Sequence, residues 1–224
     1  MLYIVATPIG NLDDISQRAL ATLRQVDLIA SEDTRTTRKL LSRFDITVKL
    51  ISYFQHSDSS KLKSIIAKLE EGKDIALVSE AGTPAISDPG GKLVAAAVEA
   101  EIKVSPIPGP SALVAAASIS GLPTDSFVFY GFLPRKQGRQ GKFREMLAEE
   151  KTVIFYESPH RIVKTLTELT ELAEEEYQAV VCRELTKKFE EIIRGSLISV
   201  TEDLATRESI KGEFVVVLKV SSKK

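Results

Sequence analysis

Three short turns hold the residues best suited to gripping a small molecule: Thr7-Pro8-Ile9-Gly10-Asn11, Ser79-Glu80-Ala81-Gly82-Thr83-Pro84 and Pro108-Gly109-Pro110-Ser111-Ala112. Each follows a short apolar run that reads as a β-strand. Glycine lets backbone approach a ligand closely, and proline fixes a turn while removing a donor. One such residue is enough to reverse a chain. Three rigid turns at strand ends point instead to a preorganised pocket, because open α/β sheets bind ligands beyond the carboxyl ends of their strands. The walls offer small side chains, carbonyls and hydroxyls with little charge, which suits an adenosine-like ligand without a polyphosphate. Asp88-Pro89-Gly90-Gly91-Lys92 is only superficially a phosphate loop: Ile86 stands where the Walker spacing needs glycine, and Leu93 where it needs Ser or Thr. No G-x-G-x-x-G opens a helix after the first strand, so a dinucleotide fingerprint is missing.

The elements that must position these turns alternate regularly in the first half of the chain. Leu2 to Ala6 reads as a buried strand. Ile15, Ala19, Leu20, Leu23 and Val26 recur at helical spacing, with Asp13 or Asp14 as the expected N-cap. Strand-like Leu28 to Ala30, helical Thr34 to Phe44 and strand-like Leu50 to Tyr53 follow. A helix then carries Leu62, Ile65, Ile66 and Leu69 and ends at Gly72. Ile75 to Ser79, a helix over Leu93 to Ala100, and Val104 to Ile107 complete a β/α alternation that predicts a mainly parallel, doubly wound sheet. The second half differs. An Ala-rich helix from Ser111 to Ser120 leads to Phe127 to Tyr130, a loop rich in basic residues, and Val153 to Tyr156. The helix of Ile162, Val163, Leu166, Leu169 and Leu172, then Ala179 to Arg183, come next. Glu191 to Arg194 and Phe214 to Val220 read as hairpin-compatible strands, so a mixed sheet and a second domain are expected. The division is placed at residue 113, giving domains 1–113 and 114–224.

The bulk numbers narrow the function classes. A chain of 224 residues with 43% hydrophobic content can bury a core without covalent staples. One cysteine, Cys182, excludes an internal disulfide framework and reads as a buried structural thiol within an apolar run. With His56 and His160 it does not make a zinc site. The amino terminus lacks a basic region followed by a long apolar stretch, so the cytoplasm is the expected location and no membrane partner is expected. Thirty basic and 31 acidic side chains leave a net charge of −1, which argues mildly against a nucleic-acid partner. Distribution argues the other way. Arg135, Lys136, Arg139, Lys142 and Arg144 fall in one stretch without an acid, and Arg35, Arg38, Lys39 and Arg43 form a second group.

Thr7-Pro-Ile-Gly-Asn-Leu12, Ser31-Glu-Asp-Thr-Arg35, Ser79-Glu-Ala-Gly-Thr-Pro84 with Ser87-Asp-Pro-Gly90, and Pro108-Gly-Pro-Ser111 together resemble the tetrapyrrole methylase superfamily. Gly131-Phe-Leu-Pro134, Phe155-Tyr-Glu-Ser-Pro-His-Arg161 and Arg183-Glu-Leu-Thr-Lys187 resemble its branch of small-subunit ribosomal RNA methyltransferases. The match runs in order over almost the whole chain. It implies two α/β domains, the first with a mainly parallel five-stranded sheet and the second with a mixed sheet. It also implies S-adenosylmethionine in the cleft between them and a homodimer; no metal is expected from the cysteine and histidine content. The reaction implied is 2′-O-methylation of a cytidine in the decoding region of 16S rRNA within the small ribosomal subunit. Carried over residue by residue, the cofactor meets Pro8, Ile9, Glu80, Ala81, Gly82, Thr83, Pro84, Ile86, Ser111 and Ala112, with Tyr156 closing the site from the second domain. The family turn usually has Asp where Glu80 stands; the extra methylene keeps the charge and changes its reach.

A ribose hydroxyl is a poor nucleophile until its proton is drawn off, so a base or a cation near the developing alkoxide is needed. The bases on offer are Asp33, Glu157, His160 and Glu184; the cations are Arg35, Arg161, Arg183 and Lys187. Each has a structural alternative. Asp33 is also placed to cap the helix from Thr34, Glu157 to orient Arg161 through an i,i+4 pair, and His160 to sit plainly at a helix start. The four cations are expected to rim the cleft, with Arg135, Lys136, Arg139 and Lys142 reaching more distant phosphates. Two other readings remain open at this point: a methylase of a tetrapyrrole or other small molecule, and a non-enzymatic RNA-binding assembly protein.

Overall fold

The computed structural model describes residues 1–54 and 59–220; His56 lies outside them. The chain divides into two compact units, Met1–Ser111 and Ala112–Lys224. No helix among the described residues is long and apolar enough to cross a membrane.

The first unit is a parallel sheet of β1 (Leu2–Val5), β2 (Leu28–Ser31), β3 (Lys49–Ser52), β4 (Ile75–Val78) and β5 (Val104–Ile107), in the order β3-β2-β4-β1-β5. Strands β2 and β4 are buried at every position, as expected of a sheet covered on both faces. Helices α1 (Gln17–Gln25) and α2 (Thr34–Arg43) cover one face, where Ala19, Leu23, Leu40 and Leu41 pack on Val5, Ile29, Ala76 and Val78. On the other face, α3 (Ser59–Glu70) and α4 (Gly91–Glu99) set Ile65, Leu69, Leu93 and Ala97 against Leu2, Leu28, Ile75 and Leu77. The cap of α1 is not an aspartate: Ser16 accepts from Ala19 N–H, while Asp13 and Asp14 belong to a short 3-10 turn capped by Asn11. Gly72 does end α3, at φ 86°.

The second unit is a mixed sheet of β6 (Phe127–Phe132), β7 (Thr152–Glu157), β8 (Tyr177–Arg183), β9 (Glu191–Ser196) and β10 (Phe214–Val220), in the order β6-β7-β10-β8-β9. Only β6 and β7 run parallel; the other pairs are antiparallel. The two last strands are therefore not a hairpin. Strand β9 pairs with β8, and β10 returns to fill the place between β7 and β8. Its run of valines is buried, as a central strand requires. Around this sheet lie α5 (Ala112–Ser120), α6 (Arg139–Leu147), α7 (Ile162–Leu172) and α8 (Leu197–Ala205). Phe143, Phe155, Leu166, Leu204, Phe214 and Val216 are among the residues of one core cluster. Cys182 is buried in β8, and burial pushes its thiol up to about 11.

Two helices escape the periodicity reading. The basic stretch is not all loop: Gly138, left-handed at φ 76°, starts α6, which carries Arg139, Lys142 and Arg144. Its apolar face is narrow, resting on Phe143 and Met146, so the charged residues mask its period. Helix α8 begins at Ser196, whose hydroxyl accepts from Ser199 N–H. The strand-like run before it hides the start.

Candidate active site

In the first unit the crossovers leaving β1 and β4 run in opposite directions, because β1 connects to β2 past β4, and β4 connects to β5 past β1. These neighbours therefore form a topological switch point, where helices fall away to opposite faces and open a crevice at the strands' carboxyl ends. All three glycine- and proline-rich turns converge there. Thr7 N–H donates to Gly82 O at 2.9 Å and Gly82 N–H returns the bond to Thr7 O at 3.0 Å. Thr83 Oγ1 donates to Pro110 O at 3.3 Å. Ala6 N–H reaches Ile107 O at 3.2 Å.

Glycine is required at two of these contacts. Gly82 is left-handed at φ 76°, and a Cβ there meets Ile9 Cγ2 at 3.4 Å. A Cβ on Gly109 comes within 3.0 Å of the Ala6 Cβ. Further along the same loop Ala85 and Ser87 are also left-handed, at φ 71° and 60°; such local strain persists where surrounding structure enforces it, characteristically at ligand sites. Pro8, Ile9, Gly82 and Pro84 are buried, Glu80, Ala81 and Ile86 are exposed, and Ser111 is the last residue of this unit. The Thr7 hydroxyl is buried without a hydrogen-bond partner among the described residues.

Charge at this edge is higher than the turns alone suggest. Burial, and then the Asp88 and Glu80 carboxylates, raise the carboxyl of Glu32; burial chiefly raises Asp88 as well. Asp33 behaves oppositely: bonds from the Arg35 guanidinium and backbone hold it down at about 2. Its side chain accepts from Arg35 N–H and makes a 2.8 Å ion pair with Arg35 Nη2, so it is the N-cap of α2.

In the second unit, strand register brings three distant segments to one end of the sheet. Phe132 lies across from Tyr156, Glu157 from Phe214, Phe214 from Arg183, and Arg183 from Glu191. Residues 131–134, 157–161 and 183–187 thus share an edge. Glu157 is buried there and fully bonded: Arg161 Nη2 at 2.7 Å, Thr165 Oγ1 at 2.7 Å and Ser158 N–H at 2.7 Å. Arg161 also donates to Leu133 O at 3.1 Å. Arg183 donates to Lys211 O and Glu191. Burial alone would raise Glu184, but Lys187, Glu213 N–H and Arg183 bring it below the ordinary carboxylate range. Lys187 in turn bridges Glu184 and Glu213 at 2.8 and 2.9 Å. Glu184 and Thr186 are left-handed, and the Thr186 hydroxyl is buried without a partner among the described residues. The Tyr156 hydroxyl (Oη) accepts from Leu113 N–H at 3.2 Å, just after Ala112 opens α5.

The family model for tetrapyrrole (corrin/porphyrin) methylases matches residues 1–201. The chain belongs to the tetrapyrrole methylase family. Its curated relatives include the ribosomal RNA small subunit methyltransferase I of Synechocystis sp., 52% identical over 97% of this chain and 78% of that protein. Its counterpart in Halalkalibacterium halodurans is 49% identical over 100% of this chain and 77% of that protein. The chain therefore groups with the small-subunit ribosomal RNA methyltransferases of the family. A solved uroporphyrin-III C-methyl transferase from Thermus thermophilus, complexed with S-adenyl homocysteine, shares the fold at a TM-score of 0.66 and 17% identity, covering 96% of each chain.

As a member of this family the chain departs from expectation in its cations. Arg139, expected to reach distant phosphates, is not an open cation. It is buried, with Nε on Glu168 at 2.7 Å, Nη1 on Pro134 O at 2.9 Å and Nη2 on Thr165 Oγ1 at 2.8 Å, its guanidinium 4.5 Å from the Phe143 ring centre. Lys142 pairs with Glu145, whereas Arg135 and Lys136 are exposed. Arg161, Arg183 and Lys187 are engaged by carboxylates or carbonyls, so the expected rim of open positive charge is largely neutralised. Sequence reading missed Thr165, Glu168, Glu191 and Glu213, because ion-pair partners brought together by folding have no common spacing. It also missed Glu32, although Glu32 lies inside a recognised motif.

Proposed function

We propose that this chain transfers a methyl group from S-adenosylmethionine to the 2′-hydroxyl of a cytidine in the decoding region of 16S rRNA. In this reading it works as a cytoplasmic homodimer on the small ribosomal subunit. The observation that carries the proposal is the knitting of three turns at the β1/β4 switch point. The residues there fit the cofactor. Thr7 offers a buried hydroxyl without a partner among the described residues, Gly82 and Gly109 let the turns approach one another closely, and Glu32, Glu80 and Asp88 set negative charge beside a cationic ligand. Pro8, Ile9 and Ala81 to Pro84 would hold it through backbone contacts, with Ile86, Ser111, Ala112 and Tyr156 as further contacts. When bound, the cofactor supplies an electrophilic methyl group on a sulfonium.

The protein's own contribution is alignment and proton removal. Holding a hydroxyl in line with a reacting centre contributes roughly 7–11 kcal/mol to lowering a barrier. Three of the four candidate bases are committed to cations: Asp33 to Arg35, Glu157 to Arg161 and Glu184 to Lys187. His160 is exposed at the same sheet edge and in no ion pair among the described residues. We assign it the hydroxyl proton. His160→Gln is expected to lower kcat about 10²- to 10⁴-fold with little change in KM; an unchanged kcat removes the assignment.

The reading itself is tested by incubating the protein with radiolabelled S-adenosylmethionine and undermethylated small subunits, then mapping the labelled nucleotide. Label on the ribose of one decoding-region cytidine is expected. Label on a base overturns the reaction type, and transfer only to a tetrapyrrole overturns the substrate.

A further inference from the structure

The segment Gly131–Pro134 combines a register slip, a left-handed glycine and two guanidinium hydrogen bonds around an exposed ring. Pairing between β6 and β7 slips between Phe129 and Phe132, and Gly131 is left-handed at φ 61°. Such irregularities re-aim the next side chain. Phe132 is consequently 58% exposed. Beneath it the ring of Tyr156 lies 5.4 Å away, centre to centre, with Phe129 packed edge-on at 5.0 Å.

The two carbonyls that follow are gripped by two guanidiniums. Arg161 Nη1 donates to Leu133 O at 3.1 Å and Arg139 Nη1 to Pro134 O at 2.9 Å. Both refer back to one buried carboxylate. Arg161 Nη2 meets Glu157 Oε1 at 2.7 Å. Arg139 Nη2 donates to Thr165 Oγ1 at 2.8 Å, and that hydroxyl donates to Glu157 Oε2 at 2.7 Å. Immediately beyond the grip, Arg135 and Lys136 stand exposed. A fixed, outward-facing aromatic ring followed by open cations matches the needs of a single-stranded nucleic acid, since every base has a face to stack and every nucleotide a phosphate.

We propose that Phe132 is a stacking surface for an unpaired nucleobase of the RNA substrate, and that Arg139 is a positioning residue which, with Arg161, holds the turn presenting it. Arg135 and Lys136 take the flanking phosphates. The proposal rests on the RNA-methylation reading above.

The test compares binding of undermethylated small ribosomal subunits across variants, with S-adenosylmethionine affinity, thermal midpoint and molecular mass by light scattering measured on each. Phe132→Ala should weaken subunit binding about 5- to 150-fold, the effect of one lost stacking contact, while cofactor affinity and mass stay as in the parent. Phe132→Trp should restore binding. Arg139→Met should weaken binding without altering its salt dependence, whereas Arg135→Ala and Lys136→Ala should each reduce the salt slope by about 1. Unchanged binding by Phe132→Ala overturns the proposal. So does a fall in mass for that variant, which makes the ring a contact between copies of the chain. A salt slope that drops in Arg139→Met overturns the positioning role. If Arg139→Met fails to fold, the Phe132 pair decides. Failure of the parent protein to bind or methylate the subunits shows before any variant is made, and sinks the functional reading itself.

Discussion

The two sheet ends are built on opposite principles. At the end of the first sheet, contacts between turns run mainly through backbone: Thr7 with Gly82, and Thr83 with Pro110 O. At the end of the second, side-chain charges do the joining, with Glu157, Arg161, Arg139 and Glu168 in one connected group, and Glu184, Lys187 and Glu213 in another. A backbone-built site tolerates changes of side chain but not of backbone conformation. A charge-built site has the reverse sensitivity, and removing one member strands its partner in a low-dielectric interior.

The largest expected effect follows from that asymmetry. Glu157→Ala leaves the Arg161 guanidinium, the Thr165 hydroxyl and Ser158 N–H without their shared acceptor. Breaking a buried pair from one side typically costs about 3–5 kcal/mol. Arg161 keeps some access to water, so the lower part of that range is expected from urea unfolding. RNA methyl transfer should fall with it, while cofactor binding at the first sheet is retained. An equal loss of cofactor affinity would erase the division between the two ends.

The mirror experiment is Gly82→Ala. A side chain forced into the left-handed region costs about 1–2 kcal/mol, and here the new methyl also presses on Ile9 at 3.4 Å. Stability should drop by about that amount, and calorimetric affinity for S-adenosylmethionine should weaken in parallel if the Thr7–Gly82 bridge shapes the site as proposed. By contrast Glu80→Asp, which changes only an exposed side chain, should leave stability within about 0.5 kcal/mol of the parent. Should the two substitutions prove equal, the backbone has no special part.

The same contrast explains what was legible in the sequence. Gly82 and Gly109 are visible as glycines because only that residue satisfies the local geometry, and Pro8 and Pro84 as prolines for a related reason. The alternation of apolar runs in residues 2–107 encodes a doubly wound sheet directly, since both periods are local. The second end is different. Arg139 looks like an RNA-facing residue from its basic neighbours, and only the fold shows Glu168, 29 positions away, beneath it. Strand β10 reads as a strand from its valines, yet its place between β7 and β8 depends on pairings 31 to 65 residues distant, from Phe214 back to Arg183 and from Leu218 back to Val153. Helix α6 hides because the apolar part of its buried face is only two large side chains, Phe143 and Met146, beside the buried Arg139. Local periodicity and turn chemistry are read easily; the identity of a partner across space is not.

The smallest effects are expected from pH, and they separate neighbours. Burial, then the charges of Asp88 and Glu80, raises the folded-state carboxyl of Glu32, and burial, then the charge of Glu80, raises that of Asp88. A raised carboxyl contributes stability that is fully present below its unfolded value, near 4, and lost as pH rises through the folded value. The protein without cofactor should therefore gain from these two groups on mild acidification. Cofactor affinity should move the other way, because a cationic ligand favours their ionised forms and must release their protons on binding. Asp33, adjacent to Glu32, has the opposite sign: held at about 2 by Arg35, it contributes stability above about 4 that disappears as pH falls toward 2. Calorimetry between about pH 7 and 5 on the parent and on Glu32→Gln/Asp88→Asn reads the difference. The parent's affinity should decline by a few-fold and the double variant's should stay flat. A flat parent would mean that these carboxylates do not face the cation, leaving the turns to act on the adenosyl group alone.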